Sequence, residues 1–269
     1  MFPLRLVLLL LLICHWQSVA VAAAAPQTLR YTISSNGTVA GNEIDTYLPD
    51  GRVESSFEFN DRGRGPKVSA HYVLDPSGLP LRVDETGNDY LKAPVDEHFE
   101  VKDGIAHWKS TAEDGHAPAG AFYVSNNGAA AELAFLVASL QKAHGAPVHL
   151  FPAGEARLER LTDFTLEDHG QRMHVTDFAI TGLSFEPQTL WLDDEQHFFA
   201  SPGTWFAMLR EGWEKTNDQL YAIDVKCATN ATRAWRKSWP SIRRTPWRLN
   251  MCACLIRNGP QCAKIRQLS

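Results

Sequence analysis

The sequence predicts an α+β domain in which a curved antiparallel β-sheet, built as a meander, wraps one or two apolar helices. Strand-like runs recur along residues 29–110 and again along residues 156–200, with turn sequences between them. One long apolar run with helical spacing interrupts them at residues 129–145. Residues 26–226 contain no cysteine, so an apolar core rather than disulfides must hold this domain together.

The first-half strands are bounded by residues typical of tight turns. Asp50-Gly51 and Asp103-Gly104 are sequences that favour short β-hairpin loops. In residues 52–60, apolar side chains alternate with polar ones, so one face of this strand is expected to be buried. The predicted strands are residues 29–34, 42–48, 52–60, 67–74, 79–85, 95–102 and 105–110.

The periodicity then changes from two residues to helical spacing. Leu133, Leu136 and Leu140 recur on one helical face, and Gly145 supplies a stop. Because this helix is apolar over most of its surface, we expect it to be buried in the concave face of the sheet. Further strands are predicted at residues 156–167, 171–181, 189–193 and 196–200. Ser201-Pro202 then predicts a second helix, ending near Gly212.

Residues 1–25 have the pattern of a secretory signal peptide, with Arg5, a short apolar run and a small-residue stretch. The run is too short to span a bilayer, so we expect an exported, periplasmic or secreted protein without a transmembrane segment. Residues 26–226 form the β-rich domain and carry all 31 acidic residues of the chain. This acidic balance argues against nucleic acid or an anionic membrane as a partner of the folded domain.

Residues 227–269 differ sharply from the domain in composition. They hold no acidic residue, nine of the 26 Lys and Arg, and four of the five Cys. We expect a disordered basic tail produced by a change of reading frame. With suitable synonymous codons, the shifted reading of residues 247–267 is LAIEHVRVFDPERAAVRENQ, which includes the strand-like run IEHVRVF. The alternative is a genuine basic tail on an acidic domain.

Catalytic and metal-binding signals are sparse. The sequence has no HxH, HExxH or HxxxH, no GxSxG and no phosphate-binding glycine motif, so no cofactor is predicted for this chain. A less favoured hypothesis is a hydrolase that uses His169, His174 and nearby acids. Residues 111–116 form a polar segment that is predicted to be a turn.

Aromatic and aliphatic side chains at inward-looking positions suggest a cavity for an apolar or acyl ligand. The same side chains can instead form a filled core under the helix, and the sequence does not distinguish these alternatives. The predicted lining residues are Leu133, Leu136, Val137, Leu140, Trp108 and Trp191.

Several segments resemble a non-catalytic β-rich domain that precedes the catalytic barrel in secreted bacterial metal-dependent amidohydrolases of the imidazolonepropionase-like type. They are GTVAGNEIDTYLPDGRVESSFEFNDRGRGP, HYVLDPSGLPLRVDETGNDY, VSNNG with the helix after it, and FEPQTLWLDDEQHFFASPGTWFAMLREGWE. The frame-restored text looks like the strand that opens the hydrolase domain. The resemblance implies a module whose partner is its own missing hydrolase domain. A divalent metal such as zinc is expected only in a full-length relative, because the family's HxH ligands have no counterpart here. The sheet-around-helix pattern also looks like that of periplasmic lipoprotein carriers.

Overall fold

The computed structural model describes residues 25–168 and 170–238, and their side chains as far as Cys227. The chain divides into a compact unit that ends at Cys227 and a second unit that begins at Ala228. The predictions for residues 1–24, His169 and residues 239–269 lie outside the described residues. The strands are β1 Gln27–Ser35, β2 Thr38–Tyr47, β3 Arg52–Phe59, β4 Lys67–Leu74, β5 Pro80–Asn88, β6 Pro94–Lys102, β7 Ile105–Lys109, β8 Asp114–Pro118, β9 Phe122–Tyr123, β10 Val148–Phe151, β11 Glu155–Asp168, β12 Gln171–Thr181, β13 Gln188–Asp193, β14 Phe198–Ser201 and β15 Phe206–Arg210. The helices are α1 Ala130–Lys142 and α2 Asn217–Ser238.

The strands form one 15-stranded sheet in the order β8-β7-β6-β5-β4-β3-β2-β1-β15-β14-β13-β12-β11-β10-β9. Neighbouring strands are antiparallel throughout, except for the short parallel pair β9 and β10. Two meanders therefore meet where β1 pairs with β15, with Tyr31 opposite Arg210. The predicted α+β class and the large curved antiparallel sheet are confirmed.

The sheet curls so far around α1 that strands from its two edge regions touch. Phe99 of β6 stacks on Tyr123 of β9 with ring centroids 4.6 Å apart, and Trp108 of β7 stacks on Phe151 of β10 at 5.1 Å. These aromatic contacts join the two edges through side chains. The main hydrophobic core consequently lies inside the curl, between α1 and the concave face of the sheet.

A second, smaller core lies on the opposite face of β12 to β15. Leu220 of α2 packs there with Trp191, Phe199 and Trp213. Strand alternation produces this division, because Leu190 belongs to the inner core whereas its neighbour Trp191 belongs to the outer one. The part of α2 before Ala228 therefore covers part of the convex surface.

The predicted helix over residues 201–212 is wrong. Residues 206–210 form β15, which pairs with β1 over its whole length. Its side chains follow a period of two: Ala207 and Leu209 face the outer core, whereas Met208 faces the inner one. Pairing with a distant strand thus overrides the local helix-start signal of Ser201-Pro202.

Two further predictions differ from the structure. The predicted turn at residues 111–116 is too long, because β8 begins at Asp114 and pairs with β7. From Cys227 to Ser238, within the segment predicted to be a disordered tail, the backbone continues α2. Extending a helix that is already nucleated adds one hydrogen bond per residue fixed, which favours such a continuation. The short strands β9 and β10 were not predicted.

Candidate ligand-binding cavity and buried acidic interior

Helix α1 begins without a local side-chain cap, and the sheet supplies one instead. The preceding residue is Ala129, which has no side-chain acceptor. The Ala130 N–H donates to the Glu43 carboxylate of β2 at 2.9 Å, and the Ala129 N–H donates to the Tyr72 hydroxyl of β4 at 3.1 Å. Glu43 and Tyr72 thereby satisfy N–H groups that a helix start leaves without intrahelical partners. These contacts fix the N-terminal end of α1 on the concave face.

Beside this helix start lies a group of buried carboxyl side chains, Glu85 of β5, Glu97 of β6 and Glu132 of α1. The Tyr72 hydroxyl donates to Glu85 at 3.1 Å. Glu132 accepts the backbone N–H of Ser125 at 3.0 Å and also contacts the Ser125 hydroxyl at 2.5 Å. The group is therefore tied into a network that joins the sheet, the helix and the segment before the helix.

Burial changes the protonation of Glu132 and Glu85 in this group and of the neighbouring Glu43. It raises the pKa of Glu132 to about 8, with the negative charge of Glu85 as a second cause. It raises the pKa of Glu85 to about 7, with Glu97 as the nearby charge. Burial and the neighbouring Asp45 also raise the pKa of Glu43 well above its usual range. Part of this acidic interior therefore holds protons at neutral pH.

A cationic side chain, Arg210, faces the same interior. Its guanidinium donates to Asp193 at 2.9 Å and to the Phe198 carbonyl at 2.7 Å, and it lies over the Tyr31 ring at 5.3 Å. Burial raises the pKa of Asp45 to about 6, and the positive charge of Arg210 opposes that rise. Arg210 thus partly compensates the inward-facing acids of β2.

Asp193, Glu195 and His197, at the turn between β13 and β14, hold ligand-type atoms within 4.8 Å of one another. Sequence reasoning missed this cluster, because its D-x-E-x-H spacing is not one of the motifs considered. Asp193 is already engaged by Arg210 and by the His197 N–H at 2.8 Å. The neighbouring guanidinium opposes a second cation, so the geometry favours a structural ion pair over a metal site.

An open cavity of about 430 Å³ lies at the C-terminal end of α1. Its apolar wall consists of Leu140, Leu158 and Phe178, from α1, β11 and β12. The polar part of the lining is Gln141, Arg160, Thr176 and Gln196, with Gly145 and Ala146 beside them. The Gln141 side chain donates to that of Gln196 at 2.9 Å, which links the helix end to the β13–β14 turn. The cavity therefore combines an apolar wall with a polar mouth.

Of the predicted lining residues, Leu140 alone borders this cavity. Leu136, Val137 and Trp108 are buried in the inner core, and Leu133 is half-buried against it. The prediction for Trp191 is corrected: it lies in the outer core and donates from Nε1 to Asp224 at 2.8 Å. The cavity is formed from the end of α1 and from β11 and β12, not from the middle of the helix. Sequence periodicity gave no signal for its polar residues.

Of the residues in the alternative hydrolase hypothesis that the structure describes, His174 and Asp163 come together, whereas Glu167 and Asp177 lie elsewhere. The His174 ring contacts Asp194 at 2.6 Å and lies 3.7 Å from Asp163 on the exposed side of β12. Glu167 pairs with Arg172 at 3.1 Å. Asp177 is buried on the opposite face of β12, where burial raises its pKa to about 8 with Asp224 as the nearby charge. His169 lies outside the described residues.

Comparison with solved structures finds distant likenesses. No family model matches the chain, and no curated protein matches it. The chain is similar to a β-barrel-like protein of a domain of unknown function, DUF1849, from Brucella abortus. The likeness has a TM-score of 0.42 and 10% sequence identity, and covers 69% of this chain and 94% of that one.

Among the described residues, no helix combines the length and apolarity needed to cross a membrane.

Proposed function

We propose that this chain is a non-catalytic module that binds an amphipathic ligand, with an acyl or similar apolar part against Leu140, Leu158 and Phe178. The observation that carries the proposal is the 430 Å³ cavity, whose apolar wall opens through a polar mouth. Its volume lies within the roughly 300–1,000 Å³ that is usual for small-molecule sites. Arg160 in the lining, whose guanidinium also pairs with Asp163 at 2.7 Å, favours a polar head group.

The state of the acidic residues supports binding rather than catalysis. Glu43, Asp45 and Glu85 have no exposed surface. A general acid or base must reach the proton that it transfers, at roughly 3 Å or through one water. Glu43 and Glu85 instead bind the start of α1 and the Tyr72 hydroxyl of β4. The module is expected to be exported, and a sheet curled around an apolar helix is similar in outline to periplasmic lipoprotein carriers.

The binding proposal is tested with a fluorescent fatty acid and the variant Ala146→Trp. Ala146 is exposed at the cavity mouth, so an indole there fills the entrance without entering the core. We expect the Kd of the probe to rise at least roughly tenfold, because the apolar part of the probe loses its site. The matched control is Ala112→Trp, the same substitution in an exposed loop between β7 and β8.

A second proposal concerns the origin of the chain. We infer from the amidohydrolase resemblance that the module is the front part of a secreted hydrolase-type protein, and that it loses its barrel to a frame change near residue 226. The composition change at residue 227 is the observation that favours it. Sequencing the gene across codons 215 to 270, with translation of all frames downstream, tests this idea. A stop after Ser269 with no HxH-containing frame beyond it would exclude the truncation.

A further inference from the structure

Exposed apolar side chains are concentrated at one end of the sheet. Because consecutive strands alternate in direction, the loops β1–β2, β3–β4, β5–β6, β12–β13 and β14–β15 all lie at the same end, which we call the rim. Large apolar side chains protrude at four places along it: Val39 is 70% exposed, Leu91 73%, Trp205 56%, and Phe185 is fully exposed. The backbone of Asn36 bonds to that of Trp205 at 3.0 Å, so adjacent rim loops are held to one another.

The two ends of the sheet also differ in charge. Turns at the opposite end include residues 48–51, 75–79, 103–104, 194–197 and 211–213. They carry the acids Asp50, Asp75, Asp103, Asp194, Glu195 and Glu211 and no Lys or Arg. The rim loops carry the cations Arg62, Arg64 and Lys92 and the acids Asp61, Asp89 and Glu186, and the β7–β8 loop at the same end adds Glu113, so cations offset most of the acidic charge there. An anionic surface is therefore repelled by the opposite end and tolerated at the rim.

The rim cations lie on the β3–β4 and β5–β6 loops, beside Leu91. Lys92 follows Leu91 directly, and its ammonium donates to the Gly65 carbonyl of the β3–β4 loop at 2.7 Å. Arg64 lies over the Tyr90 ring at 5.5 Å and is half-exposed. Apolar or aromatic tips flanked by Lys and Arg are the combination that binds at the interface of a bilayer with anionic lipids.

We propose that the rim docks on a lipid surface containing anionic head groups, with Phe185 and Trp205 entering the interfacial layer. A stable protein partner would instead require a contiguous buried patch of roughly 800 Å² on each side. The rim offers separated tips on different loops. A fluid lipid surface accommodates such tips individually, and the amphipathic indole of Trp205 suits the head-group level. The rim proposal does not depend on the cavity, because the cavity lies at the C-terminal end of α1, beside Gln196 in a turn at the opposite end of the sheet.

The first test locates the contact by hydrogen exchange of the full chain, with and without vesicles of equimolar phosphatidylcholine and phosphatidylglycerol. We expect vesicles to slow exchange in the rim loops 182–187 and 202–205. Exchange in the opposite turns 48–51 and 75–79 should stay unchanged. This within-molecule comparison separates rim docking from any lipid binding by residues 1–24. Slowing at both ends, or at neither, would overturn the proposal.

The second test compares two double variants. Phe185→Ser with Trp205→Ser should weaken the affinity of the protein for the vesicles by roughly tenfold to a hundredfold for each aromatic side chain removed. Leu81→Ser with Tyr221→Ser removes exposed apolar side chains away from the rim and should change it by less than about threefold. Equal effects of the two variants would contradict the proposal. So would concentration-dependent dimers that only the rim variant abolishes, because a second copy would then be the occupant.

Discussion

Replacing Glu132 by Gln should make the protein more stable at pH 8 while changing its stability little at pH 5. Burial raises the pKa of Glu132 from its ordinary value of 4.5 to about 8, so the folded protein keeps a proton that the unfolded chain releases. The stabilising contribution of that proton is complete below about pH 4.5 and is lost as the pH rises towards 8.

The size of the effect follows from the linkage relation. One carboxyl group that is protonated when folded and ionised when unfolded costs about 1.4 kcal/mol of unfolding free energy per pH unit. From pH 5 to pH 7, Glu132 alone should therefore remove roughly 3 kcal/mol. Gln has the shape of the neutral acid: its carbonyl can accept the Ser125 N–H, and its amide can donate to the Ser125 hydroxyl. The variant should consequently lose this pH dependence.

Urea denaturation of both proteins from pH 5 to pH 8 measures the difference. Titrating groups that do not interact with Glu132 cancel when the two free energies are subtracted, whereas Glu85, whose charge raises the Glu132 pKa, contributes to the difference. The control is Glu159→Gln, which removes the same charge from an exposed position on β11 and should give a nearly constant difference. The difference in unfolding free energy between Glu132→Gln and the unmodified protein should change with pH. A difference that stays the same from pH 5 to pH 8 would contradict a protonated Glu132 in the folded protein.

Two further substitutions test the packing of the two cores. Gly115→Ala should cost roughly 1–3 kcal/mol of unfolding free energy, because a Cβ there would lie 2.5 to 2.9 Å from atoms of the Trp108 ring. Chemical denaturation combined with Trp108→Phe in a double-mutant cycle should show a non-zero coupling energy, whereas strict additivity would argue against this contact. Trp191→Phe should cost roughly 1–3 kcal/mol, because it removes the indole donor to Asp224. Calorimetry should show a smaller loss in an Asp224→Ala background, which has no side-chain acceptor for the indole, and an equal loss there would assign the effect to packing alone.

The strands were predictable because their alternation and their turns are local. The runs at residues 67–74 and 171–181 coincide with β4 and β12, since Asp75-Pro76-Ser77-Gly78 and Gly170 mark their ends. The cap of α1 was not predictable, because Glu43 lies 87 positions before Ala130 and meets it only when the sheet curls. Trp191 was assigned to the wrong face for a related reason. Residues 190–192 are all apolar, so alternation separates them into two faces without indicating which face meets α1.

Both ends of α1 are held by the sheet, and this connects the cavity to the acidic interior. The N-terminal end bonds to Glu43 and Tyr72, and at the C-terminal end the Lys142 ammonium donates to the Pro76 carbonyl at 2.7 Å. The cavity borders that same C-terminal end through Leu140 and Gln141. A ligand in the cavity would bind only when α1 is folded against the sheet, and it would therefore raise the free energy of unfolding by RT ln(1 + [L]/Kd). The ionisation of Glu132 acts on the same helix from its other end. Probe binding and the pH dependence of stability therefore report on one structural element, and Glu132→Gln should make probe affinity at pH 8 no weaker than that of the unmodified protein.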